Sequence, residues 1–383
     1  MTLRQTTTDT LVIGGGIVGL MTAWYLMRDG VEVTLVEAAD DTGTQASGAN
    51  AGSLHLQIQY PEFVAYGENW ARAYAPTLRF LSASIDLWKG LPNALEEELD
   101  VVLSGGLVVA MTDEQMRLIE AKAKIEASVG VQTDILDSAD VRCMAPYLTE
   151  AVIGAGFCAL EGKANPLRVS PALMQATLSA GVKILRQSRV TAIERRAAGF
   201  DVLTTRGRLR ASRVVNCAGA AAAEIAAMVG LNVELGGFPL QVTVTEPVAP
   251  TIPHLVYSAA GKLTLKQLAN GGCVIGGGWS AAVRGDGSLA TDPSNFVRNM
   301  AMACEVVPVM SVAQPVRSWT AWVNGTKDWR PIIGEAPNVQ GFFLALFPWV
   351  GFSAGPMTAR VTADLVQGRA PSLSLKGISV LMD

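Results

Sequence analysis

The stretch LVIGGGIVGLMTAWYLMRDGVEVTLVE, residues 11–37, limits the possible folds of this chain more than any other. Its apolar start predicts a strand buried on both faces, and three glycines then form the pattern G-x-G-x-x-G before a helical pattern. Gly14 allows a tight turn, Gly16 lets a pyrophosphate approach the backbone, and Gly19 lets the helix pack closely on the strand. Because a helix N-terminus offers free N–H groups and a partial positive charge, the turn suits a phosphate group.

Glu37 ends the second strand of this unit, roughly twenty residues after the turn, where a carboxylate accepts hydrogen bonds from a ribose hydroxyl. The same carboxylate would repel a 2′-phosphate, so the pattern disfavours a dinucleotide that carries one. A βαβ unit without a ligand is the alternative interpretation, because glycine-rich turns between strands and helices are common. Strand, turn, helix and terminal acid together favour an adenine-dinucleotide site.

Composition narrows the remaining function classes. The 383 residues are enough for two domains with sizeable cores. Half of the residues are hydrophobic, so we expect much of the surface to be internal or covered. A net charge of −4 without a basic block gives no support for nucleic-acid binding. Five scattered cysteines without C-x-x-C spacing and only two histidines predict neither a disulfide framework nor a metal site.

We expect no targeting segment in this sequence. Met1–Thr10 is polar, and the longest later apolar run, Phe342–Gly355, is too short to span a bilayer and contains Pro348. We therefore expect a soluble, cytoplasmic protein without a membrane span.

The rest of the chain alternates between helical and strand patterns. Val101–Met111 predicts a hairpin, Trp319–Gly334 a loop, and Val350–Gly355 a glycine-rich turn before a helix from Pro356 to Gln367. Further helices are predicted over 68–98, 113–127, 138–144, 165–180 and 292–307, and strands over 182–185, 189–195, 200–205, 213–219, 238–245, 262–267, 273–277 and 341–346.

Six motifs in order resemble those of the D-amino-acid-oxidase-like FAD oxidoreductases, the group of glycine oxidase, sarcosine oxidase and cyanide-forming glycine dehydrogenase. The motifs are LVIGGGIVG, ASGANAGSLH, ANPLRVSPAL, SRVTAIE, RVVNCAGA and WTAWVNGTKDWRPIIGEAP. The resemblance extends from about Asp9 to Gly368. It implies an α/β fold in which a Rossmann-like FAD-binding domain is interleaved with an α+β substrate domain built on an antiparallel sheet.

The resemblance also implies how the chain is divided. The FAD-binding domain would comprise residues 1–56, 147–230 and 315–383, and the substrate domain residues 57–146 and 231–314. The FAD would be extended and non-covalently bound, because the cysteine that attaches FAD in sarcosine oxidase has no counterpart here.

Residues implied to contact FAD lie in the dinucleotide turn, the second glycine-rich loop, the middle strands and the start of the last helix. The N–H groups of that helix start would stabilise negative charge on the reduced flavin, although an ordinary loop is the alternative interpretation of 350–355. The implied residues are Gly14, Gly16, Ile17, Val18, Gly19, Glu37, Ala38, Ser47, Asn50, Ala51, Gly52, Ser53, Leu54, Val190, Ala218, Gly219, Gly351, Phe352, Ser353, Ala354 and Gly355.

The implied reaction is hydride transfer to the flavin from the carbon beside an amine, followed by hydrolysis of the imine. Glycine oxidase-like enzymes hold the substrate carboxylate with arginines, but Val323 and Trp349 stand at those positions. We therefore predict a substrate bulkier than glycine, such as an N-substituted amino acid. Its carboxylate would be held by Lys266, Arg330 or Arg317.

His55, Lys266 and Trp349 are the candidate substrate-pocket residues. His55 directly follows the loop implied to lie along the flavin, although a structural histidine near the cofactor is the alternative. Lys266 lies in a strand predicted to face the flavin, whereas a lone lysine in a strand is more often exposed.

Three functions remain open at this point. The loop ANAGSLH and the arginine-poor pocket resemble the flavin subunits of opine- and hydroxyproline-oxidising dehydrogenases, which pass electrons to partner subunits in hetero-oligomers. A stand-alone oxidase that uses oxygen is the second possibility. A flavin-binding scaffold subunit with little activity is the third.

Overall fold

Two eight-stranded sheets organise the computed structural model, which describes residues 6–382. The helices of this part of the chain are α1 (Ile17–Arg28), α2 (Tyr60–Tyr74), α3 (Pro76–Leu95), α4 (Asp113–Ala127), α5 (Ser138–Met144), α6 (Pro166–Ser179), α7 (Ala222–Ala227), α8 (Pro293–Val306) and α9 (Gly351–Val366). The strands are β1 (Thr6–Ile13), β2 (Val33–Val36), β3 (Ser53–Leu54), β4 (Gly106–Ala110), β5 (Asp134–Asp137), β6 (Gly154–Cys158), β7 (Gly162–Lys163), β8 (Lys183–Leu185), β9 (Val190–Arg196), β10 (Gly199–Thr204), β11 (Gly207–Asn216), β12 (Gly236–Pro247), β13 (Leu255–Ser258), β14 (Thr264–Gln267), β15 (Gly272–Gly276), β16 (Ala282–Val283), β17 (Leu289–Ala290), β18 (Pro315–Gly325), β19 (Ile332–Glu335) and β20 (Phe342–Leu346).

The first sheet is the predicted Rossmann-like layer. Its order is β19-β20-β11-β1-β2-β8, and β1 is parallel to both β11 and β2. The antiparallel pair β9 and β10 extends from β11. Leu11 and Val12 are fully buried because a central parallel strand is covered on both faces. The α/β architecture is therefore confirmed.

The second sheet has the order β18-β12-β15-β14-β13-β4-β6-β5 and is antiparallel except for the parallel pair β13 and β4. One face packs Leu265 and Ile275 against Ala303 and Val306 of α8 in a single apolar cluster. The opposite face contacts residues 47–55, where Lys266 Nζ donates to Ser53 Oγ. We call this segment the flavin loop, because the resemblance described above implies that it lies along the flavin.

Two strands of the second sheet lie inside segments assigned above to the FAD-binding domain. They are β6 within 147–230 and β18 within 315–383. The domain boundaries stay a prediction. A division that keeps each sheet within one domain would have to assign β6 and β18 to the substrate domain.

The predicted hairpin at Val101–Met111 is wrong. Only Gly106–Ala110 forms a strand, and it pairs with Gly154–Cys158 and Leu255–Ser258 instead of with its own neighbours. Apolar alternation with a Gly-Gly pair predicted a local turn, but the pairing partners are remote in the sequence.

Two predictions near the C-terminus are also wrong. The first seven residues of the expected loop at 319–334 lie in the long strand β18, which pairs with β12, and its last three lie in β19. The last helix begins at Gly351 instead of Pro356, so the expected glycine-rich turn is its first turn. A Cβ atom on Gly355 would lie 3.1 Å from the side chain of Ile17, so this glycine serves close helix packing.

No helix within residues 6–382 is long and apolar enough to cross a membrane. All five cysteines are free thiols. The cytoplasmic location stays a prediction.

Candidate active site

The glycines of the dinucleotide turn bring three elements together. Gly14 has a φ of 107°, and a Cβ atom there would lie 2.5 Å from the carbonyl oxygen of Cys217 after β11. A Cβ atom on Gly19 would lie 1.9 Å from the carbonyl oxygen of Gly14. Any side chain at either position would therefore push strand and helix apart.

The N-termini of α1 and α9 converge beside this turn. Ile17 of α1 packs on Gly355 of α9, and neither helix has an acidic residue in its first turn. Ser47 Oγ accepts a hydrogen bond of 2.9 Å from Ile17 N, so the hydroxyl proton is left to donate to a phosphate oxygen. Gly16 has no side chain, and apart from its chain neighbours only Ser47 Oγ, among the described residues, would lie within 4 Å of a Cβ atom there. This opening suits an anionic group.

Glu37 lies between the turn and the end of β2. Its Oε2 accepts a hydrogen bond of 2.7 Å from Gly15 N, and its Oε1 accepts one of 2.7 Å from Ala39 N. Each carboxylate oxygen keeps a further lone pair, which a ribose hydroxyl needs as an acceptor. These groups fit an adenine dinucleotide: an anion site at the helix start and a carboxylate for the sugar.

The other residues implied for the dinucleotide lie around the same edge of the first sheet. Asn216 is fully buried, and its side chain accepts from Ala218 N and donates to the carbonyl of Ala222. It thereby fixes the turn that contains Gly219. Val190 is buried in the cluster that also contains Val36. Val18 is partly buried and Ala38 exposed.

We expect Glu37→Gln to weaken binding of the adenine dinucleotide by about 1–3 kcal/mol, the range for hydrogen bonds to a charged group. The glutamine side chain has only one acceptor oxygen, so its NH2 group would face the N–H of Gly15 or of Ala39 and that hydrogen bond would be lost. Titration of the apoprotein with cofactor measures the loss. Glu32→Gln, which removes the same charge from an exposed position, is the control. Equal affinities for Glu37→Gln and the control would remove Glu37 from the ribose site.

The flavin loop is held by hydrogen bonds from β18, from its own Asn50 and from the segment that precedes α6. Trp319 Nε1 of β18 donates to Ala49 O at 2.8 Å. Asn50 Oδ1 accepts from Gly52 N at 2.7 Å. Gly52 O accepts from Ala164 N at 2.9 Å, just before α6. The Cβ atom of Ala51 faces β15, and Leu54 is fully buried in the core below.

Ser353 ties the loop to the start of α9. Its Oγ accepts from His55 N at 2.8 Å and donates to Ser53 O at 3.1 Å. Its carbonyl accepts from Ser84 Oγ at 2.7 Å and from Trp88 Nε1 at 3.0 Å. The flavin loop and the α9 N-terminus therefore form one rigid corner, in which Phe352 and Ala354 are buried.

Lys266 lies beneath the flavin loop. It is fully buried, and its Nζ donates to Ser53 Oγ at 2.5 Å. Burial and, to a smaller extent, the positive charge of Lys163 lower its pKa to about 7. The alternative of an exposed lysine is wrong. Direct contact with a substrate would nevertheless require Ser53 to rotate away, because the ammonium has no exposed surface.

His55 is half-buried, and its Nδ1 lies 2.7 Å from the hydroxyl oxygen of Tyr257 on β13. Burial lowers the pKa of His55 to about 3, with a smaller contribution from the positive charge of Lys266. The imidazole is therefore neutral at pH 7. The sequence placed His55 and Lys266 at one site, and the structure brings them together.

Trp349 belongs to an aromatic cluster beside β18. Its ring lies 4.4 Å from that of Phe238 and is stacked on Trp329 at 5.2 Å, centroid to centroid. Trp349 Nε1 donates to Thr326 O at 3.0 Å, so the indole is fixed. Val323 pairs with Phe238 across the strands. Neither position 323 nor position 349 carries an arginine, and aromatic side chains line this region instead.

The other predicted cations occupy different places. Arg317 is exposed near the start of β18, where it pairs with Val244. Arg330 is half-buried and follows the aromatic residue Trp329. No group of three His, Cys, Asp or Glu side chains within residues 6–382 could hold a metal ion.

Sequence reasoning missed a buried polar network under the flavin loop. Glu161 Oε1 accepts from Leu56 N at 2.6 Å and from Gln57 N at 2.8 Å. Lys122 donates to Glu126 at 2.6 Å and to Gln57 Oε1 at 3.1 Å. All of these side chains are buried. The sequence signal was the alternation of polar and apolar residues in LHLQIQ, which places Gln57 between two apolar residues.

This sequence is similar to those of known proteins. A model of the family described as FAD dependent oxidoreductase matches residues 9–365. An opine oxidase subunit of Rhizobium meliloti is 28% identical over 351 residues, which are 88% of this chain and 87% of that protein. The beta subunit of sarcosine oxidase of Rhizobium meliloti (strain 1021) is 27% identical over 95% of this chain and 85% of its own length. Glycine oxidase of Geobacillus kaustophilus is 26% identical over 97% and 96%.

Solved structures show the same fold. The crystal structure of glycine oxidase from Geobacillus kaustophilus has a TM-score of 0.85 at 24% identity and covers 98% of both chains. L-proline dehydrogenase from P. horikoshii has a TM-score of 0.85 at 23% identity, with 96% of this chain and 95% of that chain covered.

Proposed function

Because this chain belongs to the family of FAD-dependent oxidoreductases and FAD is its cofactor, we propose that it oxidises the C–N bond of an amino acid or N-substituted amino acid, such as an opine-like secondary amine. FAD would supply the hydride acceptor, and water would hydrolyse the resulting imine. The relatives named opine oxidase, sarcosine oxidase and glycine oxidase support this donor class.

One observation carries the proposal: the N-termini of α1 and α9 converge beside a loop that Ser353 and Trp319 hold rigid. We propose that α1 and Glu37 hold the pyrophosphate and ribose of non-covalent FAD. The N–H groups at residues 351–355 would then face the flavin and stabilise negative charge on its reduced form.

We propose that the substrate lies between the flavin loop and the aromatic cluster. His55 would contact the amine, and Phe238 and Trp349 would cover an apolar substituent. The charge of Lys266, which acts on His55 across the loop, would offset the substrate carboxylate. Burying an unpaired carboxylate costs several kcal/mol, so some cation has to perform this task.

The chain would act as the flavin subunit of a hetero-oligomeric dehydrogenase. Two relatives that match over most of this chain are named as subunits, one of opine oxidase and one of sarcosine oxidase. A stand-alone oxidase is the second candidate, favoured by the coverage of glycine oxidase over 96% of its length. A scaffold subunit with little activity is the third.

Anaerobic bleaching of the flavin absorbance tests this function. The purified protein is expected to be yellow, to release intact FAD on denaturation, and to bleach with at least one member of a panel of D-amino acids, N-alkyl amino acids and opines. Reoxidation should be faster with an artificial electron acceptor than with oxygen if a partner subunit normally takes the electrons. A flavin that no panel member reduces would support the scaffold, and fast reoxidation by oxygen would support the oxidase.

A further inference from the structure

The aromatic cluster beside β18 comprises three rings, those of Phe238, Trp329 and Trp349. Phe238 of β12 pairs with Val323 of β18 in a regular antiparallel register, so both side chains lie on the same face of the second sheet. Trp319 precedes Val323 by four residues on the same strand and therefore shares this face. Because Trp319 Nε1 donates to Ala49 O, this is the face that meets the flavin loop.

Trp349 reaches the same place from the start of α9. It precedes Gly351, the first residue of that helix, by two positions. Its backbone N donates to Asn324 O at 2.9 Å and its Nε1 donates to Thr326 O at 3.0 Å, so both main chain and ring are fixed to the segment at the end of β18. Trp349 therefore links the N-terminus of α9 with Phe238, whose ring centroid lies 4.4 Å from that of the indole.

The space for these rings depends on Gly325. A Cβ atom on this residue would lie 2.4 Å from Trp349 Cζ2 and 2.7 Å from Phe238 Cε2. Both distances are far inside van der Waals contact, so any side chain at position 325 would displace one or both rings. The opposite residue in the sheet, Gly236, also lacks a side chain, and a Cβ atom there would lie 3.0 Å from Phe238 Cε2. Two facing glycines thus make room for the rings of Phe238 and Trp349.

The backbone of both tryptophans is strained. Trp329 has a φ of 68° and Trp349 a φ of 61°, in the left-handed region that bulky residues rarely adopt. Their indoles are stacked at a centroid distance of 5.2 Å and an interplanar angle of 21°. Glycine or asparagine would adopt these dihedral angles more easily, so backbone stability does not explain the tryptophan at position 349. Strained residues of this kind cluster at ligand sites, where the surrounding structure holds them in place.

The cluster has a buried part and an open part. Trp329 is only 7% exposed, and Trp70 and Tyr74 contact its ring edge-on. Phe238 is 39% exposed and Trp349 is half-buried, and their rings are tilted by 41° to each other. These two rings therefore form an angular apolar surface on the side of the flavin loop, which the described residues leave partly uncovered.

We propose, on the basis of the proposed function, that Phe238 and Trp349 bind a planar aromatic ring of the substrate, carried either on the amine nitrogen or on the α-carbon. Aromatic rings attract one another in offset-stacked and edge-to-face arrangements, in addition to the apolar area that they bury. A saturated ring of the same size buries a similar area but lacks this attraction. The subsite therefore selects an aromatic substituent over an aliphatic one.

A cationic group is the other occupant that aromatic rings attract. Lys266 disfavours it, because this lysine is fully buried and its Nζ donates to Ser53 Oγ on the same side of the sheet. A second cation beside this amino group would be repelled whenever the amino group is protonated. The observations therefore favour an uncharged aromatic ring.

Binding of sulfur analogues to the oxidised holoprotein tests the subsite without turnover. In (benzylthio)acetate a thioether replaces the amine of N-benzylglycine, so there is no C–N bond to oxidise. The compound (cyclohexylmethylthio)acetate has the same carbon skeleton but a saturated and more hydrophobic ring. We expect calorimetric titration to give a Kd for the benzyl compound that is lower by about threefold or more than that of the cyclohexyl compound. It should be lower by about tenfold or more than that of (methylthio)acetate.

Two further comparisons complete this experiment. The pair 3-phenylpropanoate and 3-cyclohexylpropanoate tests a ring carried on the α-carbon in the same way. Equal or weaker binding of the aromatic member in both pairs would overturn the proposal. Tighter binding of the cationic (2-aminoethylthio)acetate than of the benzyl compound would overturn it in favour of a cation site.

Variants of the cluster test which rings make the contact. Phe238→Leu and Trp349→Leu each remove one ring and should lower the preference for the benzyl over the cyclohexyl compound. Tyr25→Leu removes a half-buried ring near the end of α1 and should keep the preference, so it is the control. If Trp349→Leu does not fold, the partly exposed Phe238 still decides. An unchanged preference in Phe238→Leu would contradict the aromatic contact.

Gly325→Ala tests whether the position of the rings matters. The new methyl group should displace Phe238 and Trp349 and raise the Kd of the benzyl compound more than that of (methylthio)acetate. Gly285→Ala is the matched control, because a Cβ atom there meets no described atom within 4 Å beyond its chain neighbours. Equal effects on both compounds in Gly325→Ala would show that the two rings do not form the subsite.

Flavin reduction separates the subsite from the proposed function. N-benzylglycine or an enantiomer of phenylalanine should reach half-maximal flavin reduction at a lower concentration than N-methylglycine. A holoprotein that binds the aromatic analogues selectively but that no amine reduces would disprove the proposed oxidation alone. A holoprotein that N-methylglycine reduces and that shows no aromatic preference would disprove the subsite alone.

Discussion

Replacing Lys122 by methionine is expected to lower the free energy of unfolding by about 3–5 kcal/mol, the cost of removing one partner from a buried ion pair. Lys122 and Glu126 lie one helical turn apart on α4, and both side chains are fully buried. Without Lys122, Glu126 keeps hydrogen bonds from Ile58 N and from Thr133 Oγ1 but loses its counter-charge. Urea unfolding of the apoprotein measures the change.

The exposed pair Arg72–Glu68 is the matched control. It has the same spacing of four residues and an N···O distance of 2.9 Å, but 61% and 55% of the two side chains are exposed. Arg72→Met should change the free energy of unfolding by less than about 1 kcal/mol. Similar small changes for both variants would show that the Lys122–Glu126 pair is not buried as described.

Replacing Lys266 by methionine should change how stability depends on pH. Burial lowers the pKa of Lys266 to about 7 in the folded chain, below its ordinary value of 10.5. Between these values the unfolded chain binds one more proton, so the free energy of unfolding of the wild type rises with pH by up to about 1.4 kcal/mol per pH unit. The free energy of unfolding of the wild type minus that of Lys266→Met should therefore increase by about 2 kcal/mol from pH 7 to pH 9.

Lys262→Met is the control for this effect, because Lys262 precedes the same strand and is exposed. Its stability should run parallel to that of the wild type over the same pH range. A Lys266→Met profile that is also parallel would mean that the ammonium of Lys266 is not desolvated.

The same variant tests the proposed charge partner of the substrate. If Lys266 offsets the carboxylate, Lys266→Met should need at least tenfold more substrate for half-maximal flavin reduction, which corresponds to about 1.4 kcal/mol. In the wild type this concentration should rise as the pH passes about 7, because the ammonium is then lost. Normal reduction in the variant would make the assignment wrong, and Arg330 would be tested next.

The dinucleotide site could be predicted because its requirements are local. The strand, the turn, the helix and Glu37 lie within a single βαβ unit. The positions of Gly14 and Gly19 could be read from the sequence pattern, because a side chain at either would clash with neighbouring backbone. Helices with capping residues were equally readable: Asp113–Ala127 and Ser138–Met144 have the predicted bounds, and Thr112 and Asp137 cap them.

The substrate side could not be predicted in the same way. Glu161 contacts Gln57 across 104 residues of sequence, and no local pattern records that pairing. The start of α9 was misassigned because Gly355 serves packing against Ile17, although glycine in a sequence usually indicates a turn. Strand β18 was misassigned because its partner β12 is remote in the chain.

The rate of anaerobic flavin reduction by an amine deuterated at every carbon bonded to its nitrogen tests the central claim most directly. The panel member that bleaches the flavin would be compared with this deuterated form under identical conditions. Because the proposed step breaks one of these C–H bonds, we expect the deuterated amine to reduce the flavin more slowly and to yield the imine-derived carbonyl product. Equal rates for the two forms, or a product that retains the C–N bond, would contradict the proposed oxidation.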